Sequence, residues 1–254
     1  MKTRRLVQDA FTLLAISLAC LLAAPLRAGV FLDSTRVIYP AQESQITVSV
    51  TNDEKTLPLL VQAWIDDGRE QDTPTQLDVP FLLTPPMFRM EPGKAQALRI
   101  SYLKNKPLPA DKESVFWLNV LEVPPKPKAA KGEERNTMQL AFRTRIKLFF
   151  RPKALKGAAA DAPGKLRWTL VTEGSGRALQ AENPSPYYVS FESVALSVDG
   201  EKIKSDNPAM IAPGAMQRFP LKDVHPAAGS KLEVYFSNID DYGRFVAHTA
   251  ALMP

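Results

Sequence analysis

The chain has 254 residues, of which 45% are hydrophobic, and it contains 22 prolines, 12 glycines and one cysteine. This length fits one large domain or two β-sandwich domains of about 100 residues each, and the many prolines favour strands and turns over long helices. When the first 28 positions are left out, 28 basic and 26 acidic residues remain. A charge balance so close to neutral does not indicate a nucleic-acid-binding protein.

The N-terminal segment is predicted to be a cleaved signal peptide. Three positive charges lie within the first five residues, an apolar run covers residues 10–24, and Ala28 before Gly29 is an acceptable cleavage site. The alternative is a membrane anchor, but the apolar run is shorter than the roughly 20 residues that span a bilayer. Cleavage would remove Cys20, the only cysteine, so the exported protein would contain no disulfide. Cleavage would also remove the apolar run, so the mature protein would not be inserted in the membrane.

Strand patterns begin at residue 44. Residues 44–51 alternate between apolar and polar side chains, which is typical of a half-buried strand. Further strands are predicted at residues 57–65, 95–102 and 114–123, and turn signals rich in Gly, Pro, Asn and Asp separate them. Several short strands at close spacing predict a β-sandwich.

A second set of strands is predicted after a linker. Residues 124–136 form a basic and polar loop, and residues 153–164, KALKGAAADAPG, are the best linker candidate. The later strands are predicted at residues 166–171, 187–198, 217–221, 231–237 and 244–250. The predicted organisation is a signal peptide at 1–28, a first domain at 29–152, a linker at 153–164 and a second domain at 165–254.

The longest predicted strand extends from Met138 to Arg151. The period of two puts a mostly apolar row on one face, consisting of Met138, Leu140, Phe142, Thr144, Ile146, Leu148 and Phe150. The strand is either central, with this row in the core, or an edge strand that is offered to a partner chain. Periodicity alone leaves both interpretations open.

Patterns typical of enzymes are largely missing from the sequence. The two histidines, His225 and His248, are far apart, and there is no glycine-rich phosphate loop. The acidic pairs Asp66-Asp67 and Asp240-Asp241 each lie close to a glycine, where a turn is favoured over a metal site. We therefore expect no enzymatic activity, no cofactor and no metal.

One segment carries a specific resemblance. Residues 108–125, LPADKESVFWLNVLEVPP, resemble the signature segment of the periplasmic pilus chaperones of the chaperone–usher pathway, the PapD-like family. Residues 29–36, 143–152, 182–189 and 240–243 are similar to further segments of that family. The resemblance implies an all-β protein of two immunoglobulin-like β-sandwich domains, set at an angle with a cleft between them.

The resemblance also implies a function. Members of the family stay in the periplasm, bind pilus or fimbrial subunits that lack a strand, and lend a strand of their own to fill the gap. Such donor-strand complementation is a form of β-augmentation. The family then delivers the subunits to an outer-membrane usher. The alternative is an exported β-sandwich scaffold or adhesive surface module without chaperone activity.

Three groups of site residues follow from the resemblance. The groove-filling positions of the lent strand match Met138, Leu140 and Phe142, and the anchor for the subunit's C-terminal carboxylate matches Arg36 and Lys147. A charged network near the domain interface matches Arg99, Glu113, Arg151 and Asp241. Lys147 is an odd number of residues from Phe142, so it faces away from the apolar row unless a bulge intervenes.

Overall fold

The computed structural model describes residues 29–126, 138–174 and 176–253. The predicted signal peptide and most of the basic loop before Met138 lie outside these ranges. The described chain consists of strands β1 to β17 and three short 3-10 helices, at Pro74–Gln76, Ala159–Asp161 and Pro163–Lys165. Among the described residues, no helix is long and apolar enough to cross a lipid bilayer.

The first domain is a sandwich of two sheets. One sheet has the order β1-β3-β7-β5, with β1 at Val30–Leu32, β3 at Ile46–Asn52, β5 at Phe81–Thr84 and β7 at Ala95–Tyr102. The facing sheet has the order β2-β9-β8-β4-β6, with β2 at Arg36–Pro40, β4 at Leu59–Asp66, β6 at Met87–Met90, β8 at Ser114–Val123 and β9 at Phe142–Arg151.

Alternating residues of the two sheets meet in the core of this domain. Leu98 and Ile100 on β7 and Leu118 on β8 are fully buried there. The Phe150 ring lies 5.8 Å from the Tyr39 ring and 4.7 Å from the Tyr102 ring, measured between centroids. The end of β9 that contains Phe150 is therefore firmly held in the core.

The second domain is also a sandwich. Its smaller sheet has the order β10-β11-β15, with strands at Arg167–Glu173, Gly176–Glu182 and Met216–Leu221. The other sheet contains β12 at Val189–Val198, β13 at Glu201–Lys204, β14 at Met210–Ile211, β16 at Leu232–Ile239 and β17 at Phe245–Ala251. Trp168 is at the centre of its core and contacts Phe191, Phe219 and Phe236.

The predicted pair of β-sandwich domains is confirmed. The segment between the two cores contains the 3-10 helices at Ala159–Asp161 and Pro163–Lys165. The first core includes Phe150 and the second begins at Ala162. Within the predicted linker, Leu155 and Ala159 pack against the second core. Residues along the predicted linker are therefore part of the packing of the second domain.

The prediction of a single strand from Met138 to Arg151 is wrong at its start. β9 begins at Phe142, whose partner on β8 is Glu122. β8 ends at Val123, and Pro124 and Pro125 follow. Proline has no backbone N–H, so the ladder of hydrogen bonds cannot continue past this point.

Candidate functional site

The two halves of β9 have different neighbours. Residues Lys147–Arg151 pair with β2 in parallel and with β8 on the other side. From Phe142 to Ile146, β8 is the single partner among the described strands. Both interpretations of the sequence therefore apply to one strand: its second half is central, whereas its first half has an open edge. Backbone N–H and C=O groups on that edge are available to another strand.

Apolar side chains lie at and before this open edge. The side chains of Met138, Leu140 and Phe142 are 88%, 57% and 60% exposed. By the period of two, Phe142 lies on the same face of β9 as Ile146 and Leu148, which pack in the first core. The apolar row thus extends the core of the first domain outward into solvent.

Arg36 and Lys147 lie side by side between the domains. They are direct partners in the parallel ladder of β2 and β9. The Nη1 of Arg36 donates a hydrogen bond to the carbonyl oxygen of Ile239 at 2.8 Å, and the Nζ of Lys147 donates one to the hydroxyl of Ser190 at 3.3 Å. Both acceptors belong to the second domain, so the pair is in the cleft.

The register between β8 and β9 shows which face of β9 carries the Lys147 side chain. The register between β8 and β9 is continuous from Phe142 to Phe150, so there is no bulge in this stretch. Lys147 consequently faces the second domain while Phe142 and Ile146 face the first core. The strand offers its apolar row on one face and its lysine on the other.

The basic pair is partly desolvated. Burial and the neighbouring charge of Arg36 both lower the pKa of Lys147. Burial also lowers the pKa of Arg36, against the opposing charges of Asp241 and Asp240. Neither cation has a carboxylate within 4.0 Å in the described part of the chain. Two such cations form a favourable site for a carboxylate, which would accept charge-assisted hydrogen bonds.

An open cavity of about 370 Å³ surrounds the pair. Its walls combine three cations, Arg36, Lys147 and Arg145, with apolar groups from both domains. Ile146 contributes from β9, and Ile239 and Phe245 contribute from the second domain. A ligand with one carboxylate and an adjacent apolar group would complement these walls.

A charged network joins the domains next to this cavity. The Nε of Arg151 donates a hydrogen bond to Glu113 at 2.5 Å, and its Nη1 and Nη2 donate to the two oxygens of Asp241 at 2.7 and 2.9 Å. The other oxygen of Glu113 accepts a hydrogen bond from the backbone N–H of Tyr188 at 2.8 Å. Burial raises the pKa of Glu113, and the charge of Arg151 opposes the shift.

The assignment of Arg99 to this network is wrong. Arg99 lies on β7, opposite Thr47 of β3 and Thr84 of β5, and its side chain is exposed. β7 belongs to the sheet on the far side of the first core from β9. The core therefore separates Arg99 from Arg151, and the described network consists of Glu113, Arg151 and Asp241.

Sequence reasoning missed a second polar cluster, on the cleft-facing side of β4, β8 and β9. The buried carboxylate of Asp66 accepts hydrogen bonds from Arg145 at 2.6 and 2.9 Å and from the Asn119 side chain at 2.7 Å. The Nε of Arg143 donates to the Asn119 side chain at 2.8 Å. Asp66 is thus a strand residue that holds three strands together, although a turn was predicted there.

Two tryptophans complete this cluster, which we call the Asp66 cluster: Trp64, Asp66, Trp117, Asn119, Arg143 and Arg145. The guanidinium of Arg143 lies 5.1 Å from the Trp64 ring centre, and that of Arg145 lies 4.6 Å from the Trp117 ring centre. Each of the three strands contributes two members that are two residues apart in sequence. That repeated spacing was a signal in the sequence, but its meaning depended on the strand register.

No metal centre is found in the described ranges, since they contain no group of three or more His, Cys, Asp or Glu side chains placed to hold an ion. The ring of His248 stacks on Phe236 with 4.9 Å between centroids, and its Nε2 lies 2.6 Å from the side-chain oxygen of Asn238. Burial lowers the pKa of His248. This histidine is part of the packing of the second domain.

Comparison with known proteins identifies the class to which this fold and cleft belong. Residues 29–156 match the family model described as "Pili and flagellar-assembly chaperone, PapD N-terminal domain". Residues 161–250 match "Pili assembly chaperone PapD, C-terminal domain". The chain therefore belongs to the PapD family of pilus-assembly chaperones.

Individual relatives extend over almost the whole chain. It is 42% identical over 234 residues to the chaperone protein FimB/FhaD of Bordetella pertussis, with 91% of each chain covered. It is 40% identical over 225 residues to the probable fimbrial chaperone YadV of Escherichia coli, covering 89% of this chain and 90% of YadV. A solved complex of the SafA pilin with the SafB chaperone from Salmonella enterica contains a chain that matches with a TM-score of 0.72 and 31% identity, covering 91% of this chain and 99% of that one.

The Asp66 cluster gives a prediction about acid stability. Burial raises the pKa of Asp66, but the hydrogen bonds from Arg145, Asn119 and the Gly68 N–H outweigh burial and leave the pKa below its ordinary value. A carboxyl with a lowered folded-state pKa stabilises the fold above its unfolded pKa of about 3.9, and this contribution is lost as pH falls through the folded value. We expect Asp66→Asn to remove that component.

The measurement is the urea midpoint between pH 6 and pH 2. The wild type should lose stability more steeply than Asp66→Asn at the acidic end, whereas Asp111→Asn, at an exposed carboxylate, should follow the wild type. Parallel curves for the wild type and Asp66→Asn would contradict a stabilising role for the Asp66 carboxylate.

Proposed function

We propose that this chaperone binds pilus or fimbrial subunits by adding the open edge of β9 to the subunit's sheet. The observation that carries the proposal is the division of β9: residues Phe142–Ile146 have one strand partner in the described chain, and Lys147–Arg151 have two. A subunit that lacks a strand exposes unpaired backbone groups and an apolar groove. The open edge satisfies the backbone groups by β-augmentation.

The apolar row fills the groove. Met138, Leu140 and Phe142 are largely exposed in the free chaperone, so their burial against a subunit is a net gain for the complex. At about 25 cal/mol per Å² of apolar surface, three such side chains contribute several kcal/mol. Met138 and Leu140 precede β9, and in this mechanism they become ordered as strand residues when the subunit binds.

Arg36 and Lys147 anchor the subunit's C-terminal carboxylate. A lent strand that slipped by one residue would present its other face, so one end of the subunit must be fixed. The two cations lie in register at the point where the open edge of β9 ends. A carboxylate held there sets the register for the whole open edge.

The setting of this activity follows from the leader. We infer that the chain is exported, that its leader is removed after Ala28 and that it acts in the periplasm before it passes subunits to an outer-membrane usher. The family match begins at residue 29, the residue after the expected cleavage site. No cofactor, nucleic acid or enzymatic step enters this mechanism, and the expected lack of enzymatic activity stays a prediction.

Loss of the anchor lysine should abolish subunit binding. In Lys147→Ala, one of the two cations of the carboxylate site is removed, and we expect co-purification of a cognate subunit to fall to background while the thermal unfolding curve stays close to that of the wild type. Lys94→Ala, at an exposed lysine of the first domain, should recover the subunit normally. Normal recovery with Lys147→Ala would rule out the anchor role.

A charge in the apolar row should weaken binding without unfolding the free chaperone. Because the Leu140 side chain is 57% exposed, Leu140→Asp should change the free energy of unfolding by less than about 1 kcal/mol but lower the affinity for a subunit at least tenfold. Met216→Asp, at a residue of the second domain that is 62% exposed, is the matched control. Equal affinity of both variants would show that the row does not enter the groove.

The network of Glu113, Arg151 and Asp241 is proposed to fix the angle between the domains. Arg151 lies on β9 and Asp241 in the second domain, so their ion pair resists rotation about the linker. In Asp241→Asn we expect a broader distribution of distances between spin labels at Lys94→Cys and Lys222→Cys, one in each domain. An unchanged distance distribution would show that contacts other than this network fix the angle between the domains.

A further inference from the structure

Glu122 is a buried carboxylate that the subunit-binding mechanism does not use. It lies on β8 one residue before the strand ends, and its residue is 8% exposed. Its neighbours Leu118 and Val120 at even positions of β8 belong to the first core, so Glu122 points inward at the open end of the sandwich. An inward acidic side chain at this depth requires a compensating partner.

The partner on the opposite sheet is the first described segment of the chain. The backbone N–H of Val30 acts on the carboxylate of Glu122 and favours its charged form, against the effect of burial. Its Oε2 is buried and has no hydrogen-bond partner within the described residues. Burial raises the pKa of this carboxyl, and the charge of Glu54 raises it further. Glu54 is the one ionisable group of the described chain that shifts the pKa of Glu122, and Glu54 is also acidic. Among the described residues, no cation therefore offsets the Glu122 charge.

Gly29 lies against the unpartnered oxygen. A Cβ atom built on Gly29 would lie 2.8 Å from Oε2 and 3.0 Å from Oε1 of Glu122, so a side chain at this position would require the Glu122 carboxylate to move. Standard bond lengths therefore place the Gly29 nitrogen within about 5 Å of Oε2. Gly29 is also the first residue after the expected cleavage site.

We propose that Glu122 is the binding site for the mature protein's own α-ammonium group, which comes into existence at Gly29 when the leader is removed. In the precursor, this nitrogen is a neutral amide. Hydrolysis of the Ala28–Gly29 peptide bond leaves a carboxylate on Ala28 and a protonated amine on Gly29. Val30 N–H and the new ammonium then donate to the two oxygens of one carboxylate. The inference rests on the proposed cleavage after Ala28, but not on subunit binding.

The proposed ion pair between the Gly29 ammonium and Glu122 would link the two sheets of the first domain. Val30 belongs to β1 in one sheet and Glu122 to β8 in the other, so the ion pair ties the two sheets together at the open end of the sandwich. Glu122 is also the direct cross-strand partner of Phe142, the first strand residue of the open edge. Removal of the leader thus completes the sandwich beside the lent strand, and only after export.

The first experiment measures the α-amino group of the protein secreted with its own leader. Intact mass identifies the first residue, and the pKa of the amine is obtained by NMR or from the pH dependence of its acylation. We expect a mature chain that begins at Gly29 and a pKa raised by about one unit above the usual 7.7–8.0. Glu122→Gln should return the pKa to the usual range, and Glu54→Gln, which keeps the Glu122 carboxylate, should leave most of the rise.

A second measurement separates the ion pair from the packing of Glu122. Urea midpoints are compared for chains that begin at Gly29 and chains that retain Ala28, each with Glu122 and with Glu122→Gln. Glu122→Gln should lower the midpoint more in the chain that begins at Gly29. Because the pKa of the amine is raised in the folded state, this difference should be present at pH 7 and lost as pH rises through that value.

Three results would overturn the proposal: a first residue other than Gly29, an α-amino pKa unaffected by Glu122→Gln, or equal effects of Glu122→Gln in the two chains. Subunit capture by the same preparations reports independently on the proposed function. A wrong processing site with normal capture would remove this inference alone.

Discussion

The rest of the structure depends on the incomplete pairing of β9. A strand edge with free N–H and C=O groups next to exposed apolar side chains is normally a liability, because any unsatisfied strand can pair with it. Here β2 covers the edge from Lys147 onward and leaves it open from Phe142 to Ile146. The first core holds the covered half in place through Leu148 and Phe150, so the open half has a fixed position from which to bind.

The charges of the cleft divide into satisfied and unsatisfied sets. Arg151 is fully engaged by Glu113 and Asp241, and Arg145 is engaged by Asp66. Arg36 and Lys147 instead rely on a carbonyl and a hydroxyl of the second domain. Leaving partly desolvated cations without a carboxylate costs stability. In the proposed mechanism, that cost in stability favours subunit binding, because the subunit's carboxylate would remove it.

Much of this could be predicted from the sequence. Alternating patterns located most strands, and the 108–125 segment identified the family and hence the basic pair. The period of two also predicted that Lys147 faces away from Phe142. What periodicity lacks is the identity of neighbouring strands. It could not place Arg99 on the opposite sheet, nor recognise that Asp66, Asn119 and Arg145 meet across three strands.

Other features depended on where a partner strand ends. The first residue of β9 is set by the last residue of β8, and Pro124 marks that limit on a segment distant in sequence. Glu122 looks like an ordinary polar residue of a strand until β1 of the other sheet is seen beside it. In both cases the determining contact joins residues that are far apart along the chain, so no local pattern reports it.

The Asp66 cluster affects how the entropy cost of binding is divided between the chaperone and the subunit. Its stacked Arg and Trp side chains and shared carboxylate fasten β4, β8 and β9 across the cleft-facing side, directly behind the open edge. A template stiffened in this way loses little conformational entropy when a partner docks. In the proposed mechanism, the ordering cost of complex formation then falls mainly on the subunit and on residues 138–141. In this mechanism, the chaperone acts as a rigid template on which an incomplete subunit domain can adopt its structure.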